Sequence, residues 1–434
     1  MDTEAGVFAQ VNIILKGNIC WSKTPRELCV LEDSYLVCEN GTVAGVFPEI
    51  PEKYAAFRVA DYGDCIIIPG LCDLHIHAPQ YALRGLGMDM ELLDWLNTYT
   101  FPEESKYVEI DYAGRAYSFF ADALRSGATT RACVFATLHT PATVLLMEKL
   151  ERTGLVTYVG KVNMDRNCPD NLRARNAEAS YKSTRAWIER TKNRYKNTAP
   201  ILTPRFIPTC SDELMSRLKE LQIEYGLPVQ SHLSENKNEN AWVRELCPWA
   251  ATYGGAYDKF GLFGGDGVPT VMAHCVWSEG AEEKLLHDNG VYVAHCPQSN
   301  INLSSGIAPV RRFMNKGIRV GLGSDIAGGC HSSIFRAMSD AIQVSKLYWR
   351  LIDQNDAPLT VQEAFYLGTA GGGSFFGRAG SFEEGYEFDA VVIDDGSITS
   401  SNPLTVGERL ARIIYLSDDS HIRDKYIRGK RVKK

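Results

Sequence analysis

Two histidines one residue apart, His75 and His77, end the stretch IIIPGLCDLHIHAPQ at residues 66–80. Alternation along a strand puts residues i and i+2 on one face, so both imidazoles can reach a single cation from one strand end. Histidine nitrogen is a common ligand for zinc and similar borderline metals. The pattern recurs down the chain. Apolar runs at 227–230, 270–273, 291–294 and 318–322 lead to His232, His274, His295 and Asp325, and Glu235 follows His232 by three residues in SHLSE. Any one such histidine is more often a core residue satisfied by backbone or water. His75, His77, His232 and His274 with Asp325, each just past an apolar run, form a far more specific set.

These residues need a scaffold that brings strand ends together. Strand-like runs at 127–137, 155–163 and 200–207 precede helical stretches at 140–154, 172–195 and 211–225, the last with Ser211 as N-cap. Counting the run that ends at His75 gives eight strands with mostly helical intervals, the signature of an α/β chain folded as a (β/α)8 TIM-type barrel. Chemistry in such barrels sits at the C-terminal strand ends, where the polar residues above fall. Between the first two strands, MDMELLDWLNTYTFP carries Leu92, Leu93 and Leu96 at helical spacing. This predicts a packed helix beside the site that Pro102 stops, with covering the pocket as the alternative role.

The ends of the chain read differently. Val7, Ala9, Val11, Ile13 and Leu15 alternate, and runs at 35–38 and 42–47 flank the hairpin signal Asn40-Gly41. After Gly372, runs at 388–393, 413–416 and 426–432 predict further short strands. The expectation is a smaller β-sandwich domain built from residues 1–67 and 376–434, with the barrel at 68–375 inserted between them.

Composition narrows the setting. A formal charge of −7 argues against holding nucleic acid or anionic lipid by bulk electrostatics. The opening MDTEAGVFAQ lacks the basic and apolar regions of a signal peptide, and no apolar run approaches the ~18 residues of a membrane span. The twelve cysteines contain no C-x-x-C pair, which suggests reduced thiols and a cytoplasmic protein. The basic tail RGKRVKK reads as a solvated end.

HIHAPQ, DWLNTYTFP, TPRF, SHLSEN, AHC, HCPQSN and GLGSDIAGG together resemble the amidohydrolase superfamily, most fully its guanine-deaminating branch. The likeness spans almost the whole chain and is looser over 1–60 and 160–195. It implies one zinc ion per chain, held by His75, His77, His232 and Asp325. It makes Glu235 the proton shuttle and His274 the histidine that hydrogen-bonds the metal's water or the reacting carbon's substituent. Gln80 and Arg205 match residues that hold the purine, and His77, His232, Glu235 and Asp325 border it as well. The implied reaction is hydrolysis of guanine to xanthine and ammonia, by a homodimer, in purine catabolism.

The chemistry fits those residue types. A neutral aromatic amine is a poor electrophile with a poor leaving group. Zinc lowers the pKa of bound water to about 7, which supplies hydroxide to attack carbon 2. Glu235 can carry a proton to a ring nitrogen, Asp325 can take the first proton, and His274 can stabilise the tetrahedral intermediate. The planar fork of Arg205 matches the O6/N7 edge of guanine. Gln80 both donates and accepts, and Phe206 is placed either to stack on the ring or to pack in the barrel.

One departure limits the metal count. Two-metal amidohydrolases carry a lysine at the end of strand four, and PILTPRFI has none. His139 and His295 read as structural, His331 as a residue that lines the pocket mouth or lies outside it, and His287 and His421 as surface residues. The rival readings are a superfamily hydrolase acting on another amino-heterocycle and a barrel scaffold that has lost catalysis. Retention of every expected ligand and of Glu235 argues against the scaffold.

Overall fold

The computed structural model describes residues 11–432. The expected positions Val7 and Ala9, the opening decapeptide and the last two lysines lie outside that range.

Four N-terminal strands come first: β1 (Ile13–Thr24), β2 (Glu27–Glu39), β3 (Thr42–Phe47) and β4 (Val59–Pro69). A parallel series follows, β5 (Leu71–His77), β6 (Thr129–Phe135), β7 (Val156–Gly160), β8 (Val162–Asn163), β9 (Thr198–Pro200), β10 (Thr203–Pro204), β11 (Val229–Leu233), β12 (Thr270–His274), β13 (Tyr292–His295) and β14 (Arg319–Leu322). The chain closes with β15 (Ala390–Ile393), β16 (Ile422–Ile427) and β17 (Lys430–Val432). Both ends share one seven-stranded sheet in the order β17-β16-β15-β4-β1-β2-β3. Its β2–β3 hairpin turns at Asn40 (φ 53°) and Gly41 (φ 80°), the positive-φ pair that the sequence signalled.

The parallel strands form two four-stranded sheets, β5-β6-β7-β9 and β11-β12-β13-β14, plus the pair β8-β10. Backbone bonds join the two sheets at both edges. Asp325 N–H donates to His75 O at 2.9 Å and His77 N–H to Ile326 O at 3.2 Å; on the other side Gln230 N–H donates to Leu202 O at 2.9 Å. Helices between the strands cover the outside, among them Ile110–Ser126, Thr140–Thr153, Ala177–Thr191 and Asp212–Tyr225. Ser211 caps the last of these by accepting from Leu214 N–H. Arg131 on β6 is buried and ties the parallel strands to the terminal sheet, donating from Nε to Asp389 Oδ2 at 2.6 Å and from Nη2 to Glu387 Oε2 at 2.7 Å.

Four expectations need correcting. The apolar run at 66–80 is two strands, because β4 ends at Pro69 in the terminal sheet and β5 starts at Leu71 in the parallel one. Gly70 sits at the crossing, where a Cβ would lie 2.1 Å from Thr130 Oγ1, so no side chain fits. Second, 413–416 is no strand but the last turn of a helix, Val406–Leu416, started by a Thr405/Glu408 capping box. Val406, Leu410, Ile413 and Ile414 form its buried stripe at helical spacing. Third, Pro102 does not stop the helix after Leu92. A π-turn at Leu96–Thr100, closed by Phe101 N–H donating to Leu96 O, widens the helix ahead of the proline, and the next segment, Phe101–Ser105, carries Pro102 in its first turn. Fourth, the 200–207 run is broken: β9 and β10 are separated by Ile201 and Leu202, and Leu202 bridges to Val229. All twelve cysteines are free thiols, as expected. Among the described residues no helix is long and apolar enough to cross a membrane.

Candidate active site

The C-terminal ends of β5, β11, β12 and β14 converge on one buried point. His77 Nε2 lies 3.1 Å from His75 Nε2 and 3.2 Å from His232 Nε2. Asp325 Oδ1 lies 3.1 Å from His75 Nε2 and 3.4 Å from His77 Nε2. Backbone geometry turns two of the converging side chains inward: His274 (φ 74°) and Asp325 (φ 47°) both adopt the left-handed region that non-glycine residues rarely occupy.

Ring nitrogens packed this closely are a test for a metal. His232 Nδ1 is 2.7 Å from Arg205 O, which can only accept, so the proton sits on Nδ1 and Nε2 presents a lone pair. Burial lowers the pKa of His75, His77 and His232, so their ligating nitrogens are neutral. Three lone-pair nitrogens and a carboxylate oxygen facing one another repel unless a cation lies between them. Zinc–nitrogen bonds of about 2.0–2.1 Å in a tetrahedron put neighbouring ligands roughly 3.3 Å apart, and the separations here match that edge. The residues present therefore fit a zinc-type ion.

Around this cluster stands a second layer of polar groups. His274 Nδ1 is 2.9 Å from Asn300 Oδ1, while its Nε2 is buried without a partner, 3.4 Å from Glu235 Oε2 and 3.7 Å from Asp325 Oδ2. An unpartnered buried nitrogen aimed between two carboxylates marks the place of a ligand atom or water. Glu235 is buried and accepts from Ser305 Oγ at 3.1 Å. Burial first, then the Asp325 charge, raises its pKa well above the ordinary glutamate value. The loop that holds it is pinned by Glu239, whose Oε2 accepts from Glu235 N–H at 3.1 Å and from Asn236 N–H at 3.2 Å.

The cavity above the cluster is bordered by His77, His232, Glu235, His274 and Asp325 on its floor, with Gln80, Arg205 and Phe206 around it. Leu92, Trp95 and Leu96 complete its wall, so the helix after Leu92 borders the cavity, the alternative role the sequence left open for it. All nine residues singled out by sequence thus meet at one place. His331 does not join them; it is exposed and absent from the cavity wall. His139 precedes the helix Thr140–Thr153, and His295 is buried at the end of β13 with both ring nitrogens unpartnered. His287 is exposed beside Asp288, whereas His421 is half-buried in a turn with Asp418 rather than on the open surface.

Sequence reasoning missed Glu104, Trp95, Glu239 and Ser305. Glu104 is buried behind the cavity wall, accepting from Arg205 Nη1 at 2.5 Å, Arg205 Nη2 at 3.1 Å and Gln80 Nε2 at 3.0 Å. Nothing in FPEES separates it from its neighbour Glu103. Glu239 had a legible signal: with Asn236 it forms a capping box for the helix Lys237–Leu246.

Comparison with known proteins agrees with this geometry. The model of the amidohydrolase family matches residues 66–432. The guanine deaminase of Dictyostelium discoideum is 40% identical over 383 residues, covering 86% of this chain and 84% of its own. The Homo sapiens guanine deaminase is 37% identical, covering 84% and 82%. The crystal structure of a C. acetobutylicum guanine deaminase with guanine bound in its active site superposes with a TM-score of 0.94 at 47% identity, covering 97% of this chain and 100% of that one. Three histidines and an aspartate gathered at strand ends, in a chain matched over this length, establish that the protein belongs to the amidohydrolase family.

Proposed function

We infer that this protein hydrolyses guanine to xanthine and ammonia, with one zinc ion per chain held by His75, His77, His232 and Asp325. The observation that carries the reading is the juxtaposition of that ligand cluster with Arg205 and Gln80 around one cavity. Zinc, when bound, would supply a hydroxide nucleophile at neutral pH.

This chain's own groups then do the rest. Arg205 and Gln80 hold the purine so that carbon 2 faces the floor, with Phe206 against the ring. Glu235 Oε2 is the proton carrier: its raised pKa suits it to carry in turn the two protons that the attacking water gives up, one to a ring nitrogen and the second to the departing amine. Asp325 Oδ2, turned away from His75 and His77, is placed to accept the first proton from water. His274 Nε2, lacking a protein partner, faces the oxygen on which negative charge develops; because Nδ1 already donates to Asn300 Oδ1, Nε2 donates to that oxygen when both ring nitrogens carry a proton.

The same reading extends to the architecture. The two joined parallel sheets form a (β/α)8 barrel at residues 68–375, and the seven-stranded sheet is the core of a smaller β-sandwich domain formed by 1–67 and 376–434. The protein acts as a cytoplasmic homodimer in guanine catabolism; exposed Leu347, Leu351 and Ile352 offer apolar surface for a second copy.

The test is ammonia release from a purine panel, with metal content measured on the same sample. Guanine converted to xanthine with about one zinc per chain, adenine and cytosine untouched, is the expected result. No turnover with metal present would move the substrate to another amino-heterocycle. No turnover and no metal, even after zinc is added back, would return the scaffold reading.

A further inference from the structure

Glu104 does not line the cavity. It stands behind the two residues that hold the purine edge, 1% exposed, and it binds both of them. Its carboxylate has only lone pairs to offer, so every partner must turn an N–H toward it. Arg205 spends two of its five N–H groups there. Gln80 spends one, and its Oε1 is taken by Ala327 N–H at 3.1 Å. An obligate acceptor at one end and an obligate donor at the other leave the Gln80 amide a single orientation. Among the described residues neither side chain donates to any other protein atom. The hydrogens left to meet a ligand are one N–H of Gln80 and three of the guanidinium.

We propose that Glu104 is the positioning and specificity residue of this site: it commits Gln80 and Arg205 to donate, so that the cavity selects a 6-oxo purine over a 6-amino purine. The proposal rests on the reading that the cavity takes a purine. It also refines the sequence expectation for Gln80, whose Oε1 is already engaged by Ala327 N–H. A 6-oxo purine offers acceptors at O6 and N7, which meet the donor array; a 6-amino group turns its own N–H against it. Donors buried without acceptors are what make such discrimination steep. The Glu104 charge offsets that of Arg205, so a neutral base need not bring a counter-charge into a closed site.

The experiment compares zinc-loaded full-length wild type with Glu104→Gln and Glu104→Asp, by guanine kinetics and by calorimetric binding of hypoxanthine and adenine. Hypoxanthine carries the 6-oxo edge but no 2-amino group, so it reports recognition without turnover. Wild type should bind hypoxanthine at least about 100-fold more tightly than adenine. Glu104→Gln, which places an amide N–H₂ against the Arg205 fork, should raise KM for guanine about 100-fold with kcat within about threefold, and cut the hypoxanthine preference at least about tenfold. Glu104→Asp should recover part of both, because the acceptor charge returns. Equal binding of adenine and hypoxanthine by wild type would overturn the proposal even if neither variant folds. Loss of kcat at unchanged KM in Glu104→Gln, or an unaltered preference, would overturn it as well. A wild type that prefers hypoxanthine but does not deaminate guanine would leave the Glu104 assignment standing and bring down the deaminase reading alone.

Discussion

Lys161 gives a prediction whose size can be worked from the structure. It follows β7, is 2% exposed, and has as its nearest hydrogen-bond partner Thr184 Oγ1 at 3.4 Å, with no carboxylate beside it. Burial pulls its pKa from 10.5 down to about 8. Between those two values the unfolded chain binds a proton that the folded chain does not, so stability must rise with pH across that window. Below about 8 both states are protonated and the penalty is constant; above 10.5 both are neutral and it vanishes. A shift of about 2.5 units at about 1.4 kcal/mol per unit amounts to roughly 3 kcal/mol. Lys161→Met removes the titration and keeps most of the volume. The stability of this variant relative to wild type, from denaturant unfolding at fixed zinc between pH 7 and 11, should hold a plateau below about pH 8 and fall by roughly 3 kcal/mol toward pH 10.5. The packing cost of the substitution offsets the whole curve without changing its shape. A flat difference curve would refute the reasoning, since it would mean that Lys161 is solvated or paired in solution. The effect also reaches the site. Thr184 donates to Asn163 Oδ1 at 2.6 Å, and Asn163 O accepts the Arg205 backbone N–H at 3.2 Å, so the variant should raise KM for guanine by a few-fold at most.

Four further outcomes test the site and its frame. Glu235→Gln should keep fold and zinc content, measured by elemental analysis, while kcat falls about 10²- to 10⁴-fold; full activity would remove the proton-carrier role. Arg205→Ala should raise KM for guanine about 10- to 100-fold with zinc retained, and lower stability by about 3–5 kcal/mol because Glu104 is left buried without its partner; unchanged guanine kinetics would sink the assignment of Arg205. Stripping metal with a chelator should abolish turnover and lower Tm, both restored by zinc, because the convergent nitrogens of His75, His77 and His232 are then left facing one another. Arg131→Met leaves the buried Asp389 without its charged partner at the join between the two sheet systems, while Glu387 keeps Arg428, so it should cost about 3–5 kcal/mol in unfolding while the folded enzyme keeps its KM.

The histidine and aspartate cluster was legible in the sequence because each member is announced locally. His75, His77, His232, His274 and Asp325 each end an apolar run, and a strand's period of two fixes which neighbours share a face. The alternation of strands and helices, the Asn40-Gly41 hairpin and the Ser211 cap were readable for the same reason: each depends on residues within a few positions of one another. The misreadings also began locally. A four-residue apolar run such as 413–416 fits a strand as well as a helix, and only the Thr405/Glu408 box upstream resolves it. Pro102 breaks a helix unless the preceding turn widens, and the register that allows a π-turn is set by packing.

What only the tertiary structure decided is how the purine wall is wired. Glu104 lies 24 positions from Gln80 and 101 from Arg205, in a helix whose pattern marks it as no different from Glu103. Its role exists because three distant backbones place one carboxylate against two donors away from water, where an unmet hydrogen bond is costly. The identity of the proposed metal ligands was a property of the sequence; the polarity of the pocket they face is a property of the fold.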